Sequence, residues 1–129
     1  MKILGIILAG GLSTRMEGQD KALLSLAGSP LIKHTIDRLE NQVDGLVINV
    51  NQNHNQYEKF NFPVISDTIG GHLGPLAGIL SGMNYASAHN YTHVITASST
   101  GVHFTPRGIT KQSSLNGGAF VISYLDSLE

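Results

Sequence analysis

The stretch Ile3-Leu4-Gly5-Ile6-Ile7-Leu8-Ala9-Gly10-Gly11 decides the fold. Its apolar run is continuous rather than alternating, the pattern of a strand covered by helices on both faces and hence central to a parallel sheet. Two glycines follow at once, where the backbone must turn sharply or come close to something. Lys2 ahead of the run imitates a secretory leader, but Gly5 interrupts it and no A-x-A site follows, so a buried strand is expected.

Downstream, Ser29-Pro30 predicts an N-cap and a first helical residue. Ile32, Ile36, Leu39 and Val43 then share one helical face, predicting a helix over about 30–41 after a loop over about 9–19. Leu46-Val47-Ile48-Asn49-Val50 reads as a second strand, 51–55 as a polar turn, 57–60 as a short helix and 63–65 as a short third strand. Gly74-Pro75 opens a helix striped by Leu76, Ile79, Leu80, Met83 and Ala86 to about His89, and 93–96 reads as a fourth strand. Between 97 and 118 the pattern dissolves, and 119–124 reads as a last strand. This alternation predicts an α/β fold: three layers, doubly wound, mostly parallel, with ligands at the carboxyl ends of the strands.

Composition narrows the function. The 129 residues are 41% hydrophobic, enough for one compact domain over 1–129. Only 13% are charged, against about 25% in ordinary globular chains, and the net charge is −1, which speaks against a nucleic-acid surface. The absence of cysteine excludes disulfides and thiolate metal sites and makes a reducing cytoplasm the default. No apolar stretch approaches the roughly 18 residues of a spanning helix, so no membrane partner is expected. Of the six histidines, His89 and His93 have i, i+4 spacing, but Asn90-Tyr91 reads as a helix end; His54, His72 and His103 fall in loops, and no histidine metal site is expected.

The loop after the first strand carries Gly10, Gly11, Arg15 and Lys21. Neither G-x-G-x-x-G nor the Walker spacing occurs. Free backbone N–H groups at a glycine turn can receive phosphate oxygens, and two cations beside them would neutralise part of a triphosphate's charge. A tight turn with two solvated surface residues is the competing reading. Asn49 and Asn51 point to one face by the period of two, where an amide suits a base edge or a ribose hydroxyl; local turn bonding explains them equally. Asp67 follows the third strand and can accept two N–H donors, bind a cation or cap the turn before Gly70-Gly71. The helix start at Gly74-Pro75 favours an anion, while Gly78 and Gly82 suit either a close ligand or helix packing.

Leu8-Ala9-Gly10-Gly11-Leu12-Ser13-Thr14-Arg15-Met16-Glu17-Gly18-Gln19-Asp20-Lys21-Ala22-Leu23 resembles the signature of the molybdopterin nucleotidyltransferases, specifically the molybdenum cofactor guanylyltransferase family. The resemblance continues through Gly28-Ser29-Pro30-Leu31, Leu46 to Asn51, Asp67 and Gly74-Pro75-Leu76-Ala77-Gly78-Ile79, covering about 3–96. It implies a Rossmann-like nucleotidyltransferase fold and transfer of GMP from GTP to molybdopterin with release of pyrophosphate, aided by Mg2+. It further implies that Leu8, Ala9, Gly10 and Gly11 wrap the nucleotide, that Lys21 and Arg15 act on its phosphates, and that Asn49 and Asp67 hold the guanosine. The Leu-Ala-Gly-Gly and Gly-Pro-Leu-Ala-Gly pairing resembles the guanine-using branch rather than the cytidine-using one.

Two departures stand out. Where the family has a segment similar to Pro-Cys-Asp-Thr-Pro, whose aspartate holds magnesium, this chain has Ala97-Ser98-Ser99-Thr100-Gly101-Val102. That leaves Asp67 as a candidate ligand and the usual aspartate absent near Thr100. Glu17, in place of the family's usual glycine, adds negative charge to the loop, and the chain is short for the family after about residue 96. Reduced activity and self-association through an uncovered edge are therefore expected. A noncatalytic guanine-nucleotide-binding remnant, or a transferase acting on another small phosphorylated acceptor, are the alternatives.

Overall fold

The computed structural model describes residues 2–9, 15–16, 19–67, 75–98 and 119–123. Its main sheet holds β1 (Ile3–Leu8), β2 (Gly45–Asn49), β3 (Val64–Ile65), β4 (His93–Ser98) and β5 (Ala119–Ser123), in the order β3-β2-β1-β4-β5. All neighbours are parallel except β5, which runs antiparallel to β4. The predicted doubly wound α/β arrangement is thus observed, with β1 in the middle and buried from Ile3 to Ile7.

Helices α1 (Leu31–Leu39), α2 (His54–Glu58) and α3 (Pro75–Ala88) complete the layers. Alternation along the strands sends Ile3 and Ile7 of β1, Ile48 of β2 and Ile95 of β4 into one core with Ile32, Ile36 and Leu39 of α1 and Tyr57 of α2. Leu4 and Ile6, Val47 and Val94 face the other way, against Ala86 and Met83 of α3. At the amino end of β1, Asp44 accepts from the Ile3 N–H at 2.7 Å and returns its own N–H to the Ile3 carbonyl at 2.8 Å. On the solvent face of α1, Lys33 donates to Asp37 one turn on; this bond chiefly raises the lysine's pKa above its ordinary value.

Several boundaries differ from the sequence-based expectations. Ser29-Pro30 does not cap α1: it pairs antiparallel with Ser25-Leu26 around Ala27-Gly28, so the helix starts one residue later and Pro30 takes the cap position without a side-chain bond. Pairing across the ribbon outweighs the local capping preference. The helix ends at Leu39, tightening into a 3-10 turn over Glu40–Gln42, and Val43 reaches the same core from an extended backbone. The second helix lies at His54–Glu58 rather than 57–60, because Tyr57 alone of its residues is buried and no apolar period marks it. Within the expected 9–19 loop, Arg15–Met16 pairs antiparallel with Gln19–Asp20, followed by a 3-10 turn at Lys21–Leu23. The fourth strand extends two residues past the expected 93–96, to Ser98, and the last is seen over Ala119–Ser123. Among the described residues no helix is long and apolar enough to cross a membrane.

Gly82 lets α3 sit directly on β1. A Cβ there would lie 2.7 Å from Cγ1 and 3.0 Å from Cγ2 of Ile6, atoms held near a fully buried backbone. Gly82→Ala gains about 1 kcal/mol of helix propensity but overpacks the core by about 1–3 kcal/mol. A net loss is expected, lowering the thermal midpoint by a few degrees; a raised midpoint would refute this packing.

Candidate functional site

Register places four chain exits in one row. Leu8 of β1 is opposite Asn49 of β2 on one side and Ser98 of β4 on the other, and Asn49 is in turn opposite Ile65 of β3. The ladder runs slightly further: the Ala9 N–H donates to the Asn49 carbonyl at 2.8 Å and the Val50 N–H to the Ile65 carbonyl at 2.9 Å. Connections leave β1 and β4 toward opposite halves of the sheet, so their carboxyl ends flank the switch point where doubly wound sheets bind ligands. Of the sequence-predicted residues, Leu8, Ala9, Asn49 and Asp67 fall on this edge. Gly10 and Gly11 lie outside the described residues, as do Glu17 and the 99–118 segment where the family's aspartate would stand.

The edge is organised around Asp67. Asn49 Nδ2 donates to one carboxylate oxygen at 3.0 Å and Asn51 Nδ2 to the other at 2.9 Å, while the Asp67 N–H donates to Asn51 Oδ1 at 2.9 Å. Both asparagines therefore meet one carboxylate, as their shared face required. Asn49 is buried and Asn51 exposed, so the clamp runs from the sheet out to solvent. Gly78 of α3 completes it, because a Cβ there would come within 2.6 Å of Asn49 Oδ1 and 2.9 Å of Leu8 Cδ2. Beside the clamp, Ser66 Oγ donates to the Val50 carbonyl at 3.2 Å and lies 2.7 Å from His54 Nε2.

Lys21 and Arg15 come together through backbone rather than through a simple loop. Arg15 is the register partner of Asp20, the residue before Lys21. Lys21 is exposed between two buried neighbours, Asp20 and Ala22. Asp20 accepts from Tyr57 Oη at 2.9 Å, and Asn53 Nδ2 lies 3.4 Å from both of its carboxylate oxygens. Sequence reasoning gave Asp20, Asn53 and Tyr57 no role, although Asp20 lies inside the quoted signature, and it read His54 in a loop where the structure has the first residue of α2.

Magnesium takes one or two carboxylates with phosphate oxygens and water. Both Asp67 oxygens already hold amide donors, Asp20 is turned to Tyr57, and the described residues assemble no group of three metal-ligating side chains. They do not make up a magnesium site, and no step is assigned to the ion.

A family model described as the MobA-like NTP transferase domain matches residues 5–98. The chain belongs to this family. It is 49% identical over 83 residues to a molybdenum cofactor guanylyltransferase of Shewanella loihica, covering 64% of this chain and 42% of that protein. It is 53% identical over 85 residues to the protein of the same name in Yersinia pestis, covering 66% and 44%. The match thus spans less than half the length of these relatives. Among solved structures, the nucleotidyl transferase of Methanothermobacter thermautotroptrophicus superposes with a TM-score of 0.63 at 21% identity, covering 81% of this chain and 53% of that one. A CMP:2-keto-3-deoxy-manno-octonic acid synthetase complexed with CTP gives 0.65 at 19%, covering 83% and 44%. At such identity the superpositions bear on fold alone. They place this MobA-like chain among nucleotidyltransferase folds.

Asp67→Asn keeps one acceptor and sets an NH2 donor against an asparagine amide. A loss of about 1–3 kcal/mol is expected, read as a lower midpoint in chemical denaturation; unchanged stability would show that the clamp contributes nothing.

Proposed function

We propose that this chain is a single-domain, nucleotide-binding guanylyltransferase that transfers GMP from GTP to molybdopterin and releases pyrophosphate. The observation that carries it is the Asn49–Asp67–Asn51 clamp standing in the same edge row as the exit of β1, in a chain about half identical to named molybdenum cofactor guanylyltransferases over its matched part. In this reading Leu8, Ala9, Gly10 and Gly11 wrap the nucleotide, Gly10 and Gly11 cradling its phosphates, and Asn49 and Asp67 hold the guanosine. Lys21 and Arg15 offset the charge that builds up when an oxygen of the pterin's terminal phosphate attacks the α-phosphorus and the bond to the β-phosphate breaks. Two anions must approach each other, so positioning and charge neutralisation supply most of the rate. Magnesium is expected to arrive with the triphosphate. The setting is proposed to be cytoplasmic, with no nucleic-acid or membrane partner.

One observation favours a second reading. Ala97-Ser98-Ser99-Thr100 offers no carboxylate where the family's metal-holding aspartate is expected, which suits a remnant that binds guanine nucleotides without turning them over. Incubation with radiolabelled GTP, molybdopterin and Mg2+ separates the two: labelled pterin supports the enzyme, and binding without transfer supports the remnant. Competition with CTP, UTP and ATP tests the base assignment, and a preference for CTP or UTP overturns it. Lys21→Ala is expected to weaken GTP about 10- to 100-fold in calorimetric titration, the equivalent of losing a charge-assisted hydrogen bond.

Self-association belongs to the same proposal. Among the described residues β5 leaves one edge of the sheet open, and open edges pair. Light scattering should return a mass above that of one chain; the mass of a single chain refutes it.

A further inference from the structure

The ribbon that contains Arg15 and leads directly into Lys21 has two residues per strand, too few to hold its own position. What ties it to the body is Asp20. Its carboxylate is buried and accepts from the Tyr57 hydroxyl at 2.9 Å across 37 residues of sequence, with the Asn53 amide 3.4 Å from both oxygens. Tyr57 is itself fully buried in the α1-side core, where Ala22 packs as well. Asn53 stands in the left-handed region at φ 58°, which asparagine tolerates better than most residues, and so its amide can accompany α2 toward Asp20. A carboxylate withdrawn from water is costly unless its lone pairs are met. The Tyr57 hydroxyl and the Asn53 amide thus help to hold Asp20 in place, and Lys21 is fixed from both sides by buried neighbours while its own side chain stays exposed.

We propose that Asp20, Asn53 and Tyr57 form a brace that sets the backbone position of Lys21, making Tyr57 a positioning residue for the cation that meets the nucleotide's phosphates. This rests on the proposed contact of Lys21 with phosphate. The tyrosine touches no substrate; it acts by removing freedom from the lysine's anchor, so that the ammonium spends less of its time away from the phosphate. One turn earlier on the same short helix, His54 meets Ser66 next to the Asp67 clamp, so α2 touches both the phosphate cation's anchor and the nucleoside clamp.

The test is a calorimetric double-mutant cycle on the full chain with Tyr57→Phe and Lys21→Ala, titrated with GTP and separately with guanosine. Tyr57→Phe is expected to weaken GTP about tenfold, as loss of one hydrogen bond to a charged group does, and to leave guanosine within about twofold. In the Lys21→Ala background the same substitution is expected to cost little more, because the residue it positions is gone. Asn53→Gly keeps the positive φ and removes the amide. It serves as the second variant if Tyr57→Phe does not fold, with an expected weakening of about threefold for GTP and none for guanosine. Fully multiplicative losses, or an equal loss for guanosine, overturn the brace. A wild-type chain that binds no GTP overturns the proposed function as well, whereas weakening by Lys21→Ala but not by Tyr57→Phe or Asn53→Gly overturns the brace alone.

Discussion

Everything at the candidate site depends on β1 being hydrogen-bonded along both edges and covered on both faces. Such a strand cannot slide without breaking two ladders, and its register with β2 and β4 brings Ile65, Asn49, Leu8 and Ser98 into one row. Because side chains alternate, a slip of one residue along β2 would replace Asn49 in that row by an apolar neighbour, Ile48 or Val50, on the wrong side of the sheet. The polar clamp is thus specified by hydrophobic burial: the core residues of β2 decide where its one buried asparagine stands.

Two faces of the sheet contribute different chemistry to that edge. On the α3 side Asn49 reaches Asp67, and Gly78 keeps the helix close without touching the amide. On the α1 side Asp20 is drawn down onto Tyr57, and the ribbon bearing the lysine comes with it. Each side therefore anchors its part of the edge through a carboxylate held by amide or hydroxyl donors, Asp67 on one and Asp20 on the other. Helix α2 has contacts in both directions, through Tyr57 to Asp20 and through His54 to Ser66.

How much of this was legible in the sequence follows from the range of the forces involved. Strands β1, β2 and β4 announce themselves as short apolar runs bounded by turn residues, and helices α1 and α3 by apolar residues at helical spacing. The start of α1 was misread because Ser29-Pro30 carries good capping chemistry, and only pairing with Ser25-Leu26 shows that it is used otherwise. Helix α2 opens on His54-Asn55-Gln56, with no period to find, and forms because Tyr57 is taken into the core. Asn49 and Asp67 could be singled out by position at strand ends and by family resemblance, but their hydrogen bond joins residues 18 apart. Asp20 and Tyr57 lie further apart still, and nothing in a phenol's sequence context says that a buried carboxylate will need it.

The two amide donors on Asp67 bear on how a carboxylate can sit near a polyanion. Two unit charges at 4 Å interact by about 1 kcal/mol in water and about 4 kcal/mol at an effective dielectric of 20, so a bare aspartate at the edge would oppose a triphosphate. Asn49 and Asn51 each turn an amide hydrogen toward it, placing the positive ends of two dipoles on its oxygens. An ionised carboxylate has about four acceptor positions, and these two bonds leave about two. In the proposed reading that remainder matches the adjacent N–H donors of a guanine edge. A base offering an acceptor beside its donor would set lone pair against lone pair on a group that the asparagines hold in place. Discrimination then comes from a repulsion that cannot relax, more than from any contact unique to guanine.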